Sequence, residues 1–309
     1  MAVLVAFLLF LGYGFDRFYA GDGALMFPVG SLIALGLGSV SAFTSYYSGD
    51  RAVLLSTGAV PIDRALSASA TEGDTLKFRQ LDNVVEEMSI AAGLPKPKVY
   101  VVPDPDPNAF ATGRDPEHAS IAVTRGLLDA MTRDELQGVV AHELSHVRNL
   151  DIRLMTVIAA MMGAIALLSD WTRRGLFHSS TGGGSSRGKS KDKGGGAIVL
   201  LAVWLVVALL APIIGQMLAM MVSRRREYLA DASGAELTRN PLALARALEK
   251  IEHAHLPTVA IKRGSAHLCI ADPLGKAIGL RQGWLPDLLA SHPPMPNRIS
   301  ALRQMGFQE

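Results

Sequence analysis

His142-Glu143-Leu144-Ser145-His146 sets two imidazoles four residues apart with a carboxylate beside the first. On a helix, residues four apart share a face, so both rings can point at one ion. Glu143 lies one residue along and reaches the side where a water on that ion would sit. Zinc lowers the pKa of such a water to about 7 and polarises a scissile carbonyl. A carboxylate in that position takes the water's proton and passes it to the leaving amine. The chemistry this spacing suits is metal-assisted hydrolysis of a peptide bond.

Two imidazoles need a third protein donor to make a catalytic zinc site. Glycine three residues after the second histidine and histidine six after it would mark one known extension, but those positions are Asn149 and Ile152. A carboxylate about twenty residues downstream would fall in an apolar run that has none before Asp170. The next acidic candidates on a helical stretch are Glu227 and Asp231, four apart and so on one face. One can bind the ion while the other orients a ligand histidine through its free ring nitrogen.

These residues must be positioned by the elements around them. Thr132-x-x-Glu135 is a capping box, so a helix is expected from Arg133 through His146. Asp74 to Ala92 carries Leu76, Phe78, Leu81, Val84, Val85 and Met88 at helical spacing and ends at Gly93-Leu94-Pro95. Strands are expected at Lys98–Val102, Asn108–Gly113 and Ser120–Thr124. Asn240-Pro241 opens a helix to about His253, and a last helix runs from Asn297 to Met305, stopped by Gly306. The fold class is therefore α+β, mostly helical with a small sheet.

Apolar residues make up 49% of the 309-residue chain, and the mean hydropathy is +0.26. Both are high for a chain that lives wholly in water. Four uncharged apolar runs account for this: 1–15, 23–49, 154–169 and 194–223. The second and fourth are long enough as helices to cross a hydrocarbon core of roughly 30 Å, whereas the first and third reach only about 22–24 Å. About four transmembrane helices are expected. The chain then divides into two N-terminal spans (1–49), a first catalytic part with the zinc helix (50–153), a hydrophobic hairpin (154–223) and a second catalytic part (224–309). The hairpin carries a basic, low-complexity loop at 171–196, read as a flexible linker.

Arg51, Arg64, Lys77 and Arg79 follow the second run, and Arg224, Arg225 and Arg226 follow the fourth. Both clusters put the catalytic parts on the cytoplasmic side of a cell (inner) membrane. The basic 171–193 loop opposes this if both hairpin runs cross. A net charge of +2 and the lack of any basic-helix, finger or RRM-like signature argue against a nucleic-acid partner. The single cysteine, Cys269, excludes a disulfide framework and any cysteine zinc cluster, and reads as a small buried residue.

His142 to His146 followed by Asn149 and Asp151 resembles the H-E-x-x-H-x-x-N-x-D signature of the HtpX family of membrane zinc peptidases. Glu227-x-x-x-Asp231 is similar to that family's E-x-x-A-D motif, and Ser291-His292-Pro293-Pro294 with Arg298 to its late S/T-H-P-P…R element. Asn108-Ala109-Phe110-Ala111-Thr112-Gly113 resembles its N-A-F-A-T-G stretch. The resemblance implies one zinc ion per chain held by His142, His146 and Glu227, with Glu143 as general base. It implies that Asp231, Asn149 and Asp151 support those ligands. The substrates implied are proteins, mainly misfolded or damaged membrane proteins, in stress-response quality control. An edge strand at Asn108, Ala109, Phe110 and Ala111 could hold an extended substrate by main-chain pairing. His292 or Arg298 could stabilise an oxyanion; equally, His292 could be a core histidine and Arg298 the ion-pair partner of a zinc-site carboxylate. Two other readings are an intramembrane or prenyl-protein type of protease and a membrane adaptor that binds zinc without catalysis. Charged residues at both ends of the zinc helix disfavour the first. The lack of an obvious fourth protein ligand disfavours the second.

Overall fold

The computed structural model describes residues 29–69, 71–154, 224–254, 269–270 and 293–306. In chain order the elements are α1 (Val29–Ser56), β1 (Val60–Pro61), α2 (Ile62–Ser67), α3 (Glu72–Ala92), β2 (Lys98–Val102), β3 (Ala109–Thr112), β4 (Ser120–Thr124), α4 (Arg125–Ala130), α5 (Arg133–Arg148), α6 (Arg224–Thr238), α7 (Pro241–His253) and α8 (Met295–Gly306). The chain divides into two compact units, one of Met1–Tyr47 with Ala164–Gly215 and one of Ser48–Gly163 with Gln216–Glu309. Every element after α1 lies in the second unit.

Strand alternation builds a four-stranded sheet in the order β1-β2-β4-β3. β2 and β4 are parallel, with Val99 opposite Ile121 and Val101 opposite Val123. β3 lies antiparallel to β4, with Ala109 opposite Val123 and Ala111 opposite Ile121. Successive side chains point to opposite faces. Val99, Val101, Ala109, Ala111, Ile121 and Val123 therefore join the main core with α3 and α5. Val102, Phe110 and Ala122 join a smaller cluster with Val53, Leu54 and Cys269. β3 ends the sheet, and its outer side faces the zinc-helix region.

α3 starts at Thr71, whose hydroxyl accepts the Asp74 amide, and ends at Gly93, which takes a left-handed conformation at φ +66°. Leu81, Val84 and Val85 on its inner face are fully buried, each contributing about 1.5–3 kcal/mol. α5 starts at the expected capping box: Thr132 caps Glu135, and the Glu135 carboxylate accepts the Thr132 amide at 2.8 Å. The same carboxylate accepts Lys250 of α7 at 2.6 Å, which ties the start of α5 to α7. α5 is buried through almost its whole length, between α3, α6 and α7.

The expected helices and strands of the catalytic parts are present with ends shifted by two residues or fewer. β1, α2 and α4 were not foreseen. The apolar runs 1–15 and 194–223 lie outside the described residues, as does 154–169 beyond Leu154. Of the run 23–49, the part from Val29 forms the start of α1. Among the described residues no helix is long and apolar enough to cross a membrane.

Candidate metal centre

The capping box fixes where α5 starts, and packing among α3, α6 and α7 turns His142, Glu143 and His146 inward, at 0%, 1% and 4% exposure. Polar groups so deep must meet partners, and α6 supplies them. Glu227, Asp231 and Gly234 fall on one face of α6, at spacings of four and three. Gly234 lets that face come close. A Cβ there would lie 3.1 Å from the His142 nitrogen and 3.3 Å from its Cα.

The two Nε2 atoms of His142 and His146 are 3.2 Å apart. The Glu227 carboxylate oxygens lie 3.8 Å from His142 Nε2 and 3.6 Å from His146 Nε2. All three donor atoms fall within 4.8 Å of one another. A tetrahedral zinc with ligands at 2.0–2.1 Å needs donors about 3.4 Å apart, so this set fits such an ion. Glu143 fits the same chemistry: its Oε1 is buried with no hydrogen-bond partner among the described residues, while the Ala111 amide of β3 donates to the carboxylate. Burial pushes the Glu143 pKa up, and the neighbouring Glu227 adds to the rise against the pull of both histidines.

Each histidine is backed by a carboxylate. His142 Nδ1 lies 3.0 Å from Asp231 Oδ1, and His146 Nδ1 lies 3.1 Å from Asp151 Oδ2. Such contacts fix the tautomer and turn each Nε2 toward the cluster, where His142 Nε2 also lies 3.4 Å from Arg298 Nη2. Arg298 of α8 is fully buried. It donates to Asp231 through Nε at 2.8 Å and Nη2 at 2.7 Å, lies 3.2 Å from Glu227, and donates to the Ile270 carbonyl at 3.0 Å. Burial alone would raise the Asp231 pKa, but the Arg298 charge and hydrogen bonds, with help from His142, bring it down to about 2. Burial would lower the His146 pKa, but its bond to Asp151 and the charges of Glu227 and Glu143 outweigh that and lift it to about 8.

The structure thus brings together His142, Glu143, His146, Glu227, Asp231, Asp151 and Arg298. Arg298 takes the ion-pair position of its two expected alternatives. Asn149 is not in the cluster: it is the exposed C-cap of α5, its amide bonded to the Ser145 carbonyl at 3.0 Å. The edge-strand expectation also divides. Ala109 and Ala111 turn their backbone groups outward, whereas Asn108 and Phe110 pair inward with Thr124 and Ala122. The Asn108 side chain accepts the Ala109 amide at 3.0 Å, and Phe110 is buried in the smaller cluster on the other face. The Ala109 carbonyl accepts the Ile270 amide at 2.9 Å, so a stretch of the chain itself lies along this edge. His292 lies outside the described residues. Sequence reasoning missed Arg226, whose Nη1 donates to Asp151 Oδ1 at 2.5 Å. In the sequence Arg226 shows only as one of three arginines that flank an apolar run, immediately before Glu227.

Residues 75–306 match the model of peptidase family M48. The chain is similar to a protease HtpX homolog of Caldanaerobacter subterraneus, 46% identical over 261 residues that cover 84% of this chain and 80% of the relative. It is 40% identical to a protease HtpX homolog of Tropheryma whipplei over 99% of this chain and 95% of that one. The crystal structure of S. mikatae Ste24p shares the fold with a TM-score of 0.50 at 20% identity, and covers 97% of this chain while the chain spans 63% of that structure.

Proposed function

The chain belongs to peptidase family M48 and is a metallopeptidase, and from that premise we propose that it is a membrane-bound zinc endopeptidase acting on misfolded or damaged membrane proteins. The observation that carries this reading is the buried cluster in which the His142, His146 and Glu227 donor atoms lie within 4.8 Å of one another, with the Glu143 carboxylate beside them. These three residues would hold one zinc ion. When bound, the ion supplies Lewis-acid polarisation of a peptide carbonyl and of water.

Glu143 is the general base. The Ala111 amide holds one side of its carboxylate, and the open Oε1 takes the proton from the attacking water and returns it to the leaving amine. Asp231 and Asp151 keep His142 and His146 in the tautomer that presents Nε2. Main-chain reading of an extended substrate along β3 would require Cys269–Ile270 to leave this edge, because the Ala109 carbonyl already accepts the Ile270 amide and the Ala111 amide already serves Glu143.

Membrane attachment rests on the four apolar runs, which would anchor the unit at an inner membrane with the catalytic parts on the cytoplasmic side. The 154–223 run would form a hydrophobic hairpin between the zinc helix and the helix of the third ligand. Membership of a peptidase family stands against the adaptor reading. The test uses full-length protein in detergent and a denatured membrane-protein substrate. Wild type is expected to cleave it in a chelator-sensitive way, and Glu143→Gln to bind zinc normally but not cleave. A Glu143→Gln variant as fast as wild type would refute the mechanism.

A further inference from the structure

The metal-donor histidines are supported by two parallel relays. In the first, His142 contacts Asp231, and Asp231 is held by Arg298. In the second, His146 contacts Asp151, and the other Asp151 oxygen is held by Arg226. Each relay runs histidine, aspartate, arginine. The first is buried throughout. The second ends at the surface, with Asp151 at 5% side-chain exposure and Arg226 at 41%.

The second relay is built at some local cost. Between His146 and Asp151 the chain leaves α5 through Leu150, which takes the left-handed conformation at φ 59°. A leucine there is strained by about 1–3 kcal/mol, and its side chain is exposed rather than packed. That turn brings Asp151 back onto the ring of His146, five residues earlier. A carboxylate held by one ring contact alone could rotate about its own axis and carry the imidazole with it. Arg226 blocks that rotation from the opposite oxygen. Arg226 also immediately precedes Glu227 on α6, so the bond couples the orientation of His146 to the helix that carries the third donor.

We propose that Arg226 is a positioning residue of the metal site, acting on His146 through Asp151; this rests on the metallopeptidase reading above. An ordinary exposed ion pair would be worth about 0–1 kcal/mol and would leave metal binding alone. Here the acid is buried against a ligand, and loss of such an outer partner typically costs 10–100-fold in metal affinity or activity.

The test uses full-length protein in detergent with Arg226→Met, which keeps the aliphatic stem, Arg226→Lys, Asp151→Asn, and the Arg226→Met/Asp151→Asn double variant. Zinc affinity is read by competition with a chromophoric chelator, and ligand geometry by the visible spectrum after Co(II) substitution. Arg226→Met is expected to weaken zinc about tenfold, shift the Co(II) bands and lower kcat with KM unchanged. Arg226→Lys should recover most of the affinity while shifting the bands slightly. In the Asp151→Asn background, Arg226→Met should add nothing. Unchanged affinity and spectrum in Arg226→Met, or losses that add fully in the double variant, overturn the proposal. If Arg226→Met fails to fold, the Lys variant decides: shifted Co(II) bands uphold the relay and unshifted bands overturn it. A wild type that bound no zinc would instead overturn the metallopeptidase reading itself.

Discussion

Replacing Arg298 by methionine removes a buried cation while keeping a side chain of similar reach. Five contacts go with it: two to Asp231 at 2.7 and 2.8 Å, one to Glu227 at 3.2 Å, one to the Ile270 carbonyl at 3.0 Å and one to His142 Nε2 at 3.4 Å. Burial would raise the Asp231 pKa, and Arg298, with help from His142, holds it at about 2 instead of 3.8, a net shift of roughly 2–3 kcal/mol at 1.36 kcal/mol per pKa unit. Leaving a buried charge uncompensated typically costs about 3–5 kcal/mol in all. The unit that carries the site has about 200 residues, for which 1 kcal/mol shifts Tm by about 2–4 °C. Metal-stripped Arg298→Met should therefore melt about 6–20 °C below metal-stripped wild type, read by differential scanning calorimetry in matched detergent. Zinc places two positive charges among the same carboxylates, so the gap should narrow in the metal-loaded pair. A fall of less than about 2 °C in the stripped state, or a larger gap with zinc than without, would refute the assignment of Arg298 as the cation that compensates Asp231 and Glu227.

Glu227→Gln keeps the shape of the third donor but not its charge, and elemental analysis should find zinc content well below one per chain; a full complement would remove Glu227 from the ligand set. Gly234→Ala puts a methyl 3.1 Å from the His142 nitrogen and should destabilise by about 1–3 kcal/mol through overpacking, with weaker zinc binding; a melting curve and zinc affinity equal to wild type would show that α6 can retreat at no cost. The His146 pKa is raised from 6.5 to about 8, so protonation stabilises the metal-free protein by about 2 kcal/mol below pH 6.5, and this is lost as pH rises through 8. Zinc must displace that proton, so its affinity should climb about tenfold per pH unit up to about pH 8 and then flatten; calorimetry in buffers of different ionisation enthalpy should count one proton released at pH 7, and none released would contradict the assignment.

The parts of the site that lie on long elements were legible in the residues. A capping box and a four-residue histidine spacing suffice to place a helix and aim both rings, and Glu227 with Asp231 share a face by the same periodicity. What was not legible sits where periodicity ends. Leu150 at φ 59° is a choice that its side chain disfavours, so nothing in the sequence shows that Asp151 turns back to His146 while Asn149 stays outside. Entering β3, Asn108 and Phe110 alternate with two alanines, and polarity does not say which pair turns its backbone groups toward the metal site; the register with β4 decides it. Arg298 could be read as a donor to substrate or to a carboxylate, because its direction depends on how α8 crosses α6. β1, α2 and α4 have two to six residues, too few to show a period.

The dependence of Asp231 and Glu227 on Arg298 has a consequence in time. During synthesis His142, Glu143, His146 and Glu227 all leave the ribosome before Arg298, which follows Glu227 by about 70 residues. At about 5–20 residues per second that interval lasts roughly 4–14 s. For those seconds the chain carries its metal donors and its base but lacks the arginine that pairs with the two acids that α6 must bury against α5. The acids favour water over the interior until α8 arrives, so the site closes as one of the last events of assembly.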